Sequence, residues 1–349
     1  MKRALSVFCT VLFAVCLALL IRFPQEASAA VAEGLHLCAE TLVPALFPYM
    51  ALSGLLLASG VTLPEGPLQR LTAKLPHLPG SCLSVLLLGF VGGYPTGAKC
   101  AAELRRTGQI TEREASHLLL FCNNAGPAFF FGVVGGKLLH SAAAGALLYA
   151  IHVLSALCIG VLFRGKALPA HSEGRGKEAV CTAENVVSAI RDAGQTVLAV
   201  CTFVVFFFVL SAPVRRMAKP GSLLSCLVCA FLEVTGGCTA AASSALPQTV
   251  RFVLLSAALG WGGVCVHLQT ACVTASAGLH MKKYLLAKLL HGVLSGLLAA
   301  LCAKLLPAAV PAALTDLPLT VQGISPMLSS LPLLIFIFFA TGNCRRNPV

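Results

Sequence analysis

From Phe252 to Met281 the chain carries no Asp, Glu, Lys or Arg. The same holds for Ala4–Ile21, Thr41–Pro64, Ala115–Gly136, Leu138–Phe163, Ala193–Val214, Leu289–Ala303 and Leu317–Cys344. Each run approaches or exceeds the roughly 20 residues that a helix needs to cross a hydrocarbon core about 30 Å thick. Charged residues make up 11% of the 349, against about 25% in an ordinary soluble domain. A water-soluble globule is excluded. The runs predict an all-α polytopic membrane protein with about eight transmembrane helices.

Two further apolar stretches, Leu75–Ala98 and Pro220–Val250, are interrupted in mid-course. The interruptions are Gly92-Gly93-Tyr94-Pro95-Thr96-Gly97 and Thr235-Gly236-Gly237-Cys238-Thr239. Glycine and proline are the residues that break helices, and broken backbone at membrane depth survives only where protein or a cavity surrounds it. These stretches are therefore expected to be re-entrant helical hairpins, with breaks at Gly92, Gly93, Pro95 and Gly97 and at Gly236 and Gly237.

The net charge of +12 needs no nucleic acid to explain it, because Lys and Arg set orientation by collecting on the cytoplasmic side. With the N-terminus inside and the hairpins not crossing, inside segments hold sixteen Lys and Arg, from Lys2 and Arg3 to Arg345 and Arg346, and outside segments hold seven. Both termini are then cytoplasmic. Met1-Lys2-Arg3, an apolar run and Ala27-Ser28-Ala29 also outline a cleavable signal, but the uncharged run exceeds the usual 7–15 residues of a signal core. An uncleaved first helix is preferred. Most of the 16 cysteines fall in apolar runs, as Cys122, Cys201 and Cys265 do, and serve there as small apolar residues. Cys226-x-x-Cys229 has no second Cys/His pair beside it, so no metal site and no cofactor are expected.

An internal repeat organises the chain. The order span, broken hairpin, span, span occurs first as Thr41–Pro64, Leu75–Ala98, Ala115–Gly136, Leu138–Phe163, and again as Ala193–Val214, Pro220–Val250, Phe252–Met281, Leu289–Ala303. Three crossings per unit make the second unit inverted, the construction of many secondary transporters, whose substrates sit where the breaks converge. The expected units are an N-terminal transmembrane helix at 1–32, a first repeat at 33–163, a cytoplasmic loop at 164–184, an inverted second repeat at 185–304 and a C-terminal transmembrane helix at 305–349.

Single motifs carry alternatives. Gly92–Lys99 has the look of a phosphate loop, but Ala98 intrudes and Cys100 replaces the hydroxyl, so an NTPase is rejected. As a hairpin tip, with Tyr94 and Thr96 beside the break, the segment either packs two half-helices or presents freed N–H groups to an anion. Lys99 then either adds its charge to that tip or anchors the cytoplasmic end. Asn123 and Asn124, beside Gly126-Pro127, either contact a substrate or ion or bond a neighbouring helix. Glu233 is the only charge between Lys219 and Arg251. It either binds a coupling ion or carries a proton, or it is a neutral acid bonded to backbone. His267 and Gln269 lie two apart on a broken helix and either bind substrate or satisfy backbone. Arg191 and Lys288 fall at span ends, and Glu40 and Asp192 at span starts.

Phe47-Pro48, Leu52-Ser53-Gly54, Gly92-Gly-Tyr-Pro-Thr-Gly-Ala-Lys99, Phe121-Cys-Asn-Asn-Ala-Gly-Pro127, Leu232-Glu-Val-Thr-Gly-Gly237 and Val266-His-Leu-Gln269 resemble the sporulation integral membrane protein family called YlbJ or SpoVV. That family carries nucleoside-recognition Gate domains, and its hairpins are similar to those of concentrative nucleoside transporters. The resemblance covers nearly the whole chain. It implies two Gate-like repeats and the transport of dipicolinate, or of a nucleoside-like solute, across the outer forespore membrane during spore cortex formation. Expected partners are a small-molecule solute, membrane lipid and a coupling ion, with no nucleic acid. A non-transporting sporulation membrane protein that scaffolds or senses a partner is the alternative. Neither H-E-x-x-H nor G-x-S-x-G occurs, and no enzyme is expected.

Overall fold

The computed structural model of the protein describes residues 10, 14–58, 70, 74, 76–165, 182–217, 221–279 and 281–305. The expected C-terminal helix beyond 305, most of the 164–184 loop, the end of the Thr41–Pro64 run and the first residues of the N-terminal run lie outside the described residues. Among the described residues the regular elements are all helical.

The first half opens with a helical piece, Ala14–Arg22, bent by 101° from the helix that follows. That helix, α1 (Pro24–Leu37), runs through a π-turn at Cys38–Leu42 into α2 (Val43–Ala58). Next come α3 (Cys82–Gly92) and α4 (Thr96–Arg106), then α5 (Glu112–Cys122) with a π-helical continuation at Ala128–Leu138, then α6 (Ala142–Leu162). The second half holds α7 (Ala183–Met217), the short pair α8 (Leu223–Leu232) and α9 (Val234–Ala242), the interrupted pair α10 (Gln248–Trp261) and α11 (Gly263–Thr274), and α12 (Met281–Leu305).

Local chemistry sets several helix starts. Thr111 and Glu114 form a reciprocal capping box at the start of α5, with the Glu114 amide donating to Thr111 Oγ1 at 3.2 Å and the Thr111 amide to Glu114 Oε2 at 2.7 Å. The Ser141 and Ser222 hydroxyls cap α6 and α8 by accepting from the Ala144 and Ser225 amides. Two starts differ from the sequence expectation: Glu40 lies in the π-turn and Asp192 lies nine residues inside α7, because both helices begin well upstream, at Pro24 and Ala183.

Apolar faces turned outward mark the environment. Along α12, Leu285, Leu289, Val293, Leu297 and Leu301 are exposed, while Tyr284, Lys288, His291 and Ser295 on the other face are fully buried. This inside-out arrangement suits hydrocarbon as solvent. Small residues bring α10 and α12 together: a Cβ on Gly260 would stand 2.8 Å from Gly292 Cα, the close approach that membrane helices use for packing. Among the described residues, four helical stretches are long and apolar enough to cross a membrane, counting Gln248–Ala277 across its interruption as one, or five if the bent Ala14–Leu42 pair is one span. The chain is an integral membrane protein. The expected span Ala115–Gly136 is interrupted at Asn123–Pro127 and Phe252–Met281 at Gly262, so neither is a single continuous helix.

The first hairpin breaks at Gly93-Tyr94-Pro95, with Gly93 at φ +73°. Gly92 closes one arm, and Gly97 lies in the first turn of the other. The second breaks three to four residues earlier than its glycines suggest, at Glu233, whose extended backbone (φ −148°, ψ 130°) separates α8 from α9. Gly236 and Gly237 are helical, which corrects their assignment as breaks. Gly237 instead lets α9 lie against α8, since a Cβ there would overlap the Ala230 backbone.

Candidate functional site

A broken helix leaves its last carbonyls without intrahelical donors, and each such group left bare in an apolar interior costs several kcal/mol. Here side chains supply the missing donors. Tyr149 Oη donates to the Phe90 carbonyl at the end of α3, and Asn124 Nδ2 to Phe121 at the end of α5. Lys288 Nζ donates to the Asn123 carbonyl, Trp261 Nε1 to Phe231 at the end of α8, and Tyr94 Oη to Leu259 at the end of α10. The distances run from 2.7 Å for Asn124 to 3.2 Å for Tyr149. Two donors join the halves: Tyr94 from the first hairpin reaches α10, and Lys288 from α12 reaches the end of α5.

Glycines let the interruptions touch. A Cβ on Gly126 would stand 2.9 Å from the Gly93 amide, and one on Gly263 would stand 3.0 Å from Glu233 Cα. Each hairpin tip thus rests on the break of the interrupted helix that follows it. Between the two pairs lies a cavity lined by Gly93, Tyr94, Gly126, Glu233, Thr235 and Gln269, with walls from the π-turn region and α7. Helices α4, α9, α11 and the 128–138 segment all begin at these breaks.

Of the sequence candidates, Tyr94, Glu233 and Gln269 line this cavity, with Gly92 and Gly93. Glu233 is 3% exposed, and its two carboxylate oxygens accept from the amides of Thr235 (2.9 Å) and Gly236 (2.6 Å). It caps α9. Thr96 turns back on the Gly92 carbonyl, and Gln269 Nε2 donates to Cys265 Sγ. Asn123 stands off the cavity, donating from Nδ2 to Thr270 Oγ1 (2.8 Å) and Tyr284 Oη (3.0 Å). Its Oδ1, like that of Asn124, has no hydrogen-bond partner among the described residues. His267 is held edge-on between Trp261 and Tyr284, ring centres 4.2 and 5.5 Å away.

Lys99 is directed elsewhere. Its ammonium donates to the Asp192 carbonyl (3.1 Å) and Thr196 Oγ1 (2.9 Å) of α7, so it ties the first hairpin to that helix and does not line the cavity. One turn of α4 separates it from the tip and rotates it away. Arg191 is exposed on α7. Lys288, expected at a span end, is fully buried and meets His291 Nδ1 at 3.0 Å. The signal for it was the spacing of Tyr284, Lys288, His291 and Ser295, one polar residue per turn along a single helix face. Among the described residues no group of three or more His, Cys, Asp and Glu is placed to hold a metal ion.

The Tyr94 bond to Leu259 gives a direct test of how the halves are held. Tyr94→Phe keeps the ring but leaves a buried carbonyl without its donor, so a loss of about 1–3 kcal/mol is expected, read as a lower unfolding temperature of the purified protein. A wild-type temperature would mean that the bond carries nothing.

The chain is 27% identical over 317 residues to the sporulation integral membrane protein YlbJ of Bacillus subtilis (strain 168), an alignment that covers 79% of this chain and 77% of that protein. No protein-family model and no solved structure matches the chain.

Proposed function

We propose that the protein is a membrane transporter of a small anionic or nucleoside-like solute, and that in a spore-forming bacterium the solute is dipicolinate, moved across the outer forespore membrane for cortex formation. The observation that carries this reading is a cavity lined by three interruptions, at Gly93–Tyr94, Ala125–Gly126 and Glu233, with the fourth, at Gly263, packed against Glu233. Broken helices are costly in a membrane, and a carrier has a use for them: helix starts aimed at a cavity offer oriented N–H donors and positive dipole ends to an anion. The α9 start is taken by Glu233, which leaves that of the 128–138 segment on the cavity wall. The relative's name supports a role in sporulation, and the lipid-compatible faces of α12 support membrane lipid as the surrounding partner. No enzymatic reaction is assigned.

In this proposal the chain crosses the membrane eight times, α3–α4 and α8–α9 are re-entrant hairpins, and the two Gate-like repeats are inverted. Single cysteines at Gln109, between the first hairpin and α5, and at Ser243, after the second hairpin, are then expected to react with an impermeant thiol reagent from opposite faces, Gln109 from the cytoplasm. Reaction of both from one face, above the background of the unsubstituted chain, overturns the inverted repeat.

The deciding experiment for the function is solute accumulation in vesicles containing the purified protein, with dipicolinate and nucleosides offered side by side. Uptake of dipicolinate above protein-free vesicles is expected. Uptake of neither solute favours the scaffold reading.

A further inference from the structure

We propose that Lys288 and His291 form a buried proton-binding pair, and that a proton is the ion coupled to the solute. The inference rests on the transport reading only in its second half; the proton site stands on its own geometry.

Both residues are fully buried one turn apart on α12. The Lys288 nitrogen has three neighbours: the Asn123 carbonyl at 3.1 Å, His291 Nδ1 at 3.0 Å and the face of the Tyr94 ring, whose centre is 5.5 Å away. His291 Nε2 lies 3.1 Å from the His152 carbonyl, and the two imidazoles are tilted 39° to each other with centres 4.6 Å apart. Both ring nitrogens of His152 lack a hydrogen-bond partner among the described residues.

The groups that face this pair are neutral or basic. The first hairpin brings Tyr94, α5 brings Cys122, α6 brings His152, α11 brings His267, and α12 itself adds Tyr284. On α10, Arg251 is occupied by the Ala242 carbonyl. On α5, Glu114 is spent in its capping box, and Glu233 caps α9. No carboxylate among the described residues pairs with Lys288. A cation enclosed in protein at membrane depth without an anion is costly, and such residues mark ion and proton paths.

The hydrogen bonds themselves say what the pair can hold. Two facing nitrogens 3.0 Å apart accommodate one hydrogen between them. With the extra proton present, the ammonium donates to Nδ1 and to the Asn123 carbonyl, while Nε2–H donates to the His152 carbonyl. When the proton leaves to water, the neutral amine still donates one hydrogen to Nδ1 and one to Asn123, and Nε2–H is unchanged. The same contacts thus serve charges of +1 and 0. A second proton would set N–H against N–H and break the pair. This is an arrangement for taking up and releasing one proton without rebuilding the core around it.

The pair is also wired to the cavity. It holds the carbonyl at the α5 break, two residues before the lining residue Ala125, and it lies under the ring of Tyr94, whose other contact spans to α10. An anion in the cavity favours the +1 state by attraction, and by reciprocity the proton favours the anion.

Two measurements test this. Purified protein in lipid discs, with labelled histidine and lysine, is followed by NMR from pH 5 to 9; a joint change of the Lys288 and His291 signals is expected, absent in Lys288→Met and His291→Asn. Vesicles with an imposed pH gradient are then loaded with dipicolinate. Wild type is expected to accumulate it, and Lys288→Met to lose gradient-driven accumulation at least tenfold while still exchanging solute across the membrane. His291→Asn keeps a neutral acceptor for Lys288 but removes the imidazole nitrogen that faces the ammonium, which separates the pair's proton binding from packing; its folding is checked by size exclusion. Lys288 and His291 signals constant over the whole range overturn the proton site. Gradient-driven accumulation by both variants at the wild-type level overturns the coupling. If wild type moves no solute, the transporter reading falls and the titration alone decides the proton site.

Discussion

Gly97→Ala is expected to destabilise the protein by about 3 kcal/mol, the upper end of overpacking penalties. The Cys122 carbonyl at the end of α5 is wedged between the arms of the first hairpin, against Gly89 on α3 and Gly97 on α4. A Cβ on either glycine would overlap that oxygen, and the two glycine backbones are so close that each such Cβ would also stand 3.1 Å from the other's Cα. Every neighbour is backbone, so no rotamer change relieves the clash. The hairpin has to separate from α5, and the tip that bears Tyr94 moves with it. Gly89→Ala should behave alike. Gly194→Ala is the matched control: it sits inside α7 with nothing within 4 Å of its would-be Cβ, so the exchange is expected to be neutral or to gain up to about 1 kcal/mol from helix propensity. Thermal unfolding in detergent, with the fraction surviving as a monodisperse peak, reads both. Equal stability of Gly97→Ala and Gly194→Ala would remove the wedge.

The first half of this architecture was more legible in the sequence than the second. Gly93-Tyr94-Pro95 and Asn123–Pro127 break helices through residues that cannot continue them, and both breaks fall where those residues stand. In the second half, glycines at 236 and 237 read as the break because a backbone without Cβ is the usual mark of one. Their use here is close packing against Ala230, and the break is made by Glu233, whose carboxylate supplies what the next helix start lacks. That trade between a side chain and two amides leaves no pattern in spacing. Lys99 and Lys288 exchanged roles for a related reason. Distance along the chain put Lys99 beside the tip and Lys288 at a span end. Direction around the helix decides the matter: Lys99 faces α7, and Lys288 lies on the polar face of α12 that the rest of the protein covers. Proximity in sequence is visible at once, whereas which face a neighbour will cover depends on contacts more than a hundred residues away, such as Asn123 with Lys288.

Glu233 yields the second large effect, and two variants separate its possible duties. As the cap of α9 it gives one oxygen to each of two amides in a buried setting, and charge-assisted bonds of this kind are roughly twice as strong as neutral ones. Glu233→Ala leaves both amides without their acceptor, and a loss of about 2–4 kcal/mol is expected from two unsatisfied buried donors. Glu233→Gln keeps the shape and a single acceptor oxygen, so one amide stays bonded while the other meets an NH2 group; about half that loss is expected. If capping is the whole of its role, residual transport by Glu233→Gln should follow the amount of folded protein, and gradient-driven accumulation per folded molecule should match wild type. If the carboxylate instead binds the coupling ion, Glu233→Gln should fold yet lose uphill accumulation altogether. The position of Lys288 and His291 argues for the first outcome, since their one-proton contact lies apart from the Glu233 cap and needs no carboxylate. Unfolding temperatures of the two variants, set beside accumulation normalised to folded protein, distinguish the cases. A Glu233→Ala protein as stable as wild type would show that α9 starts without help from its cap.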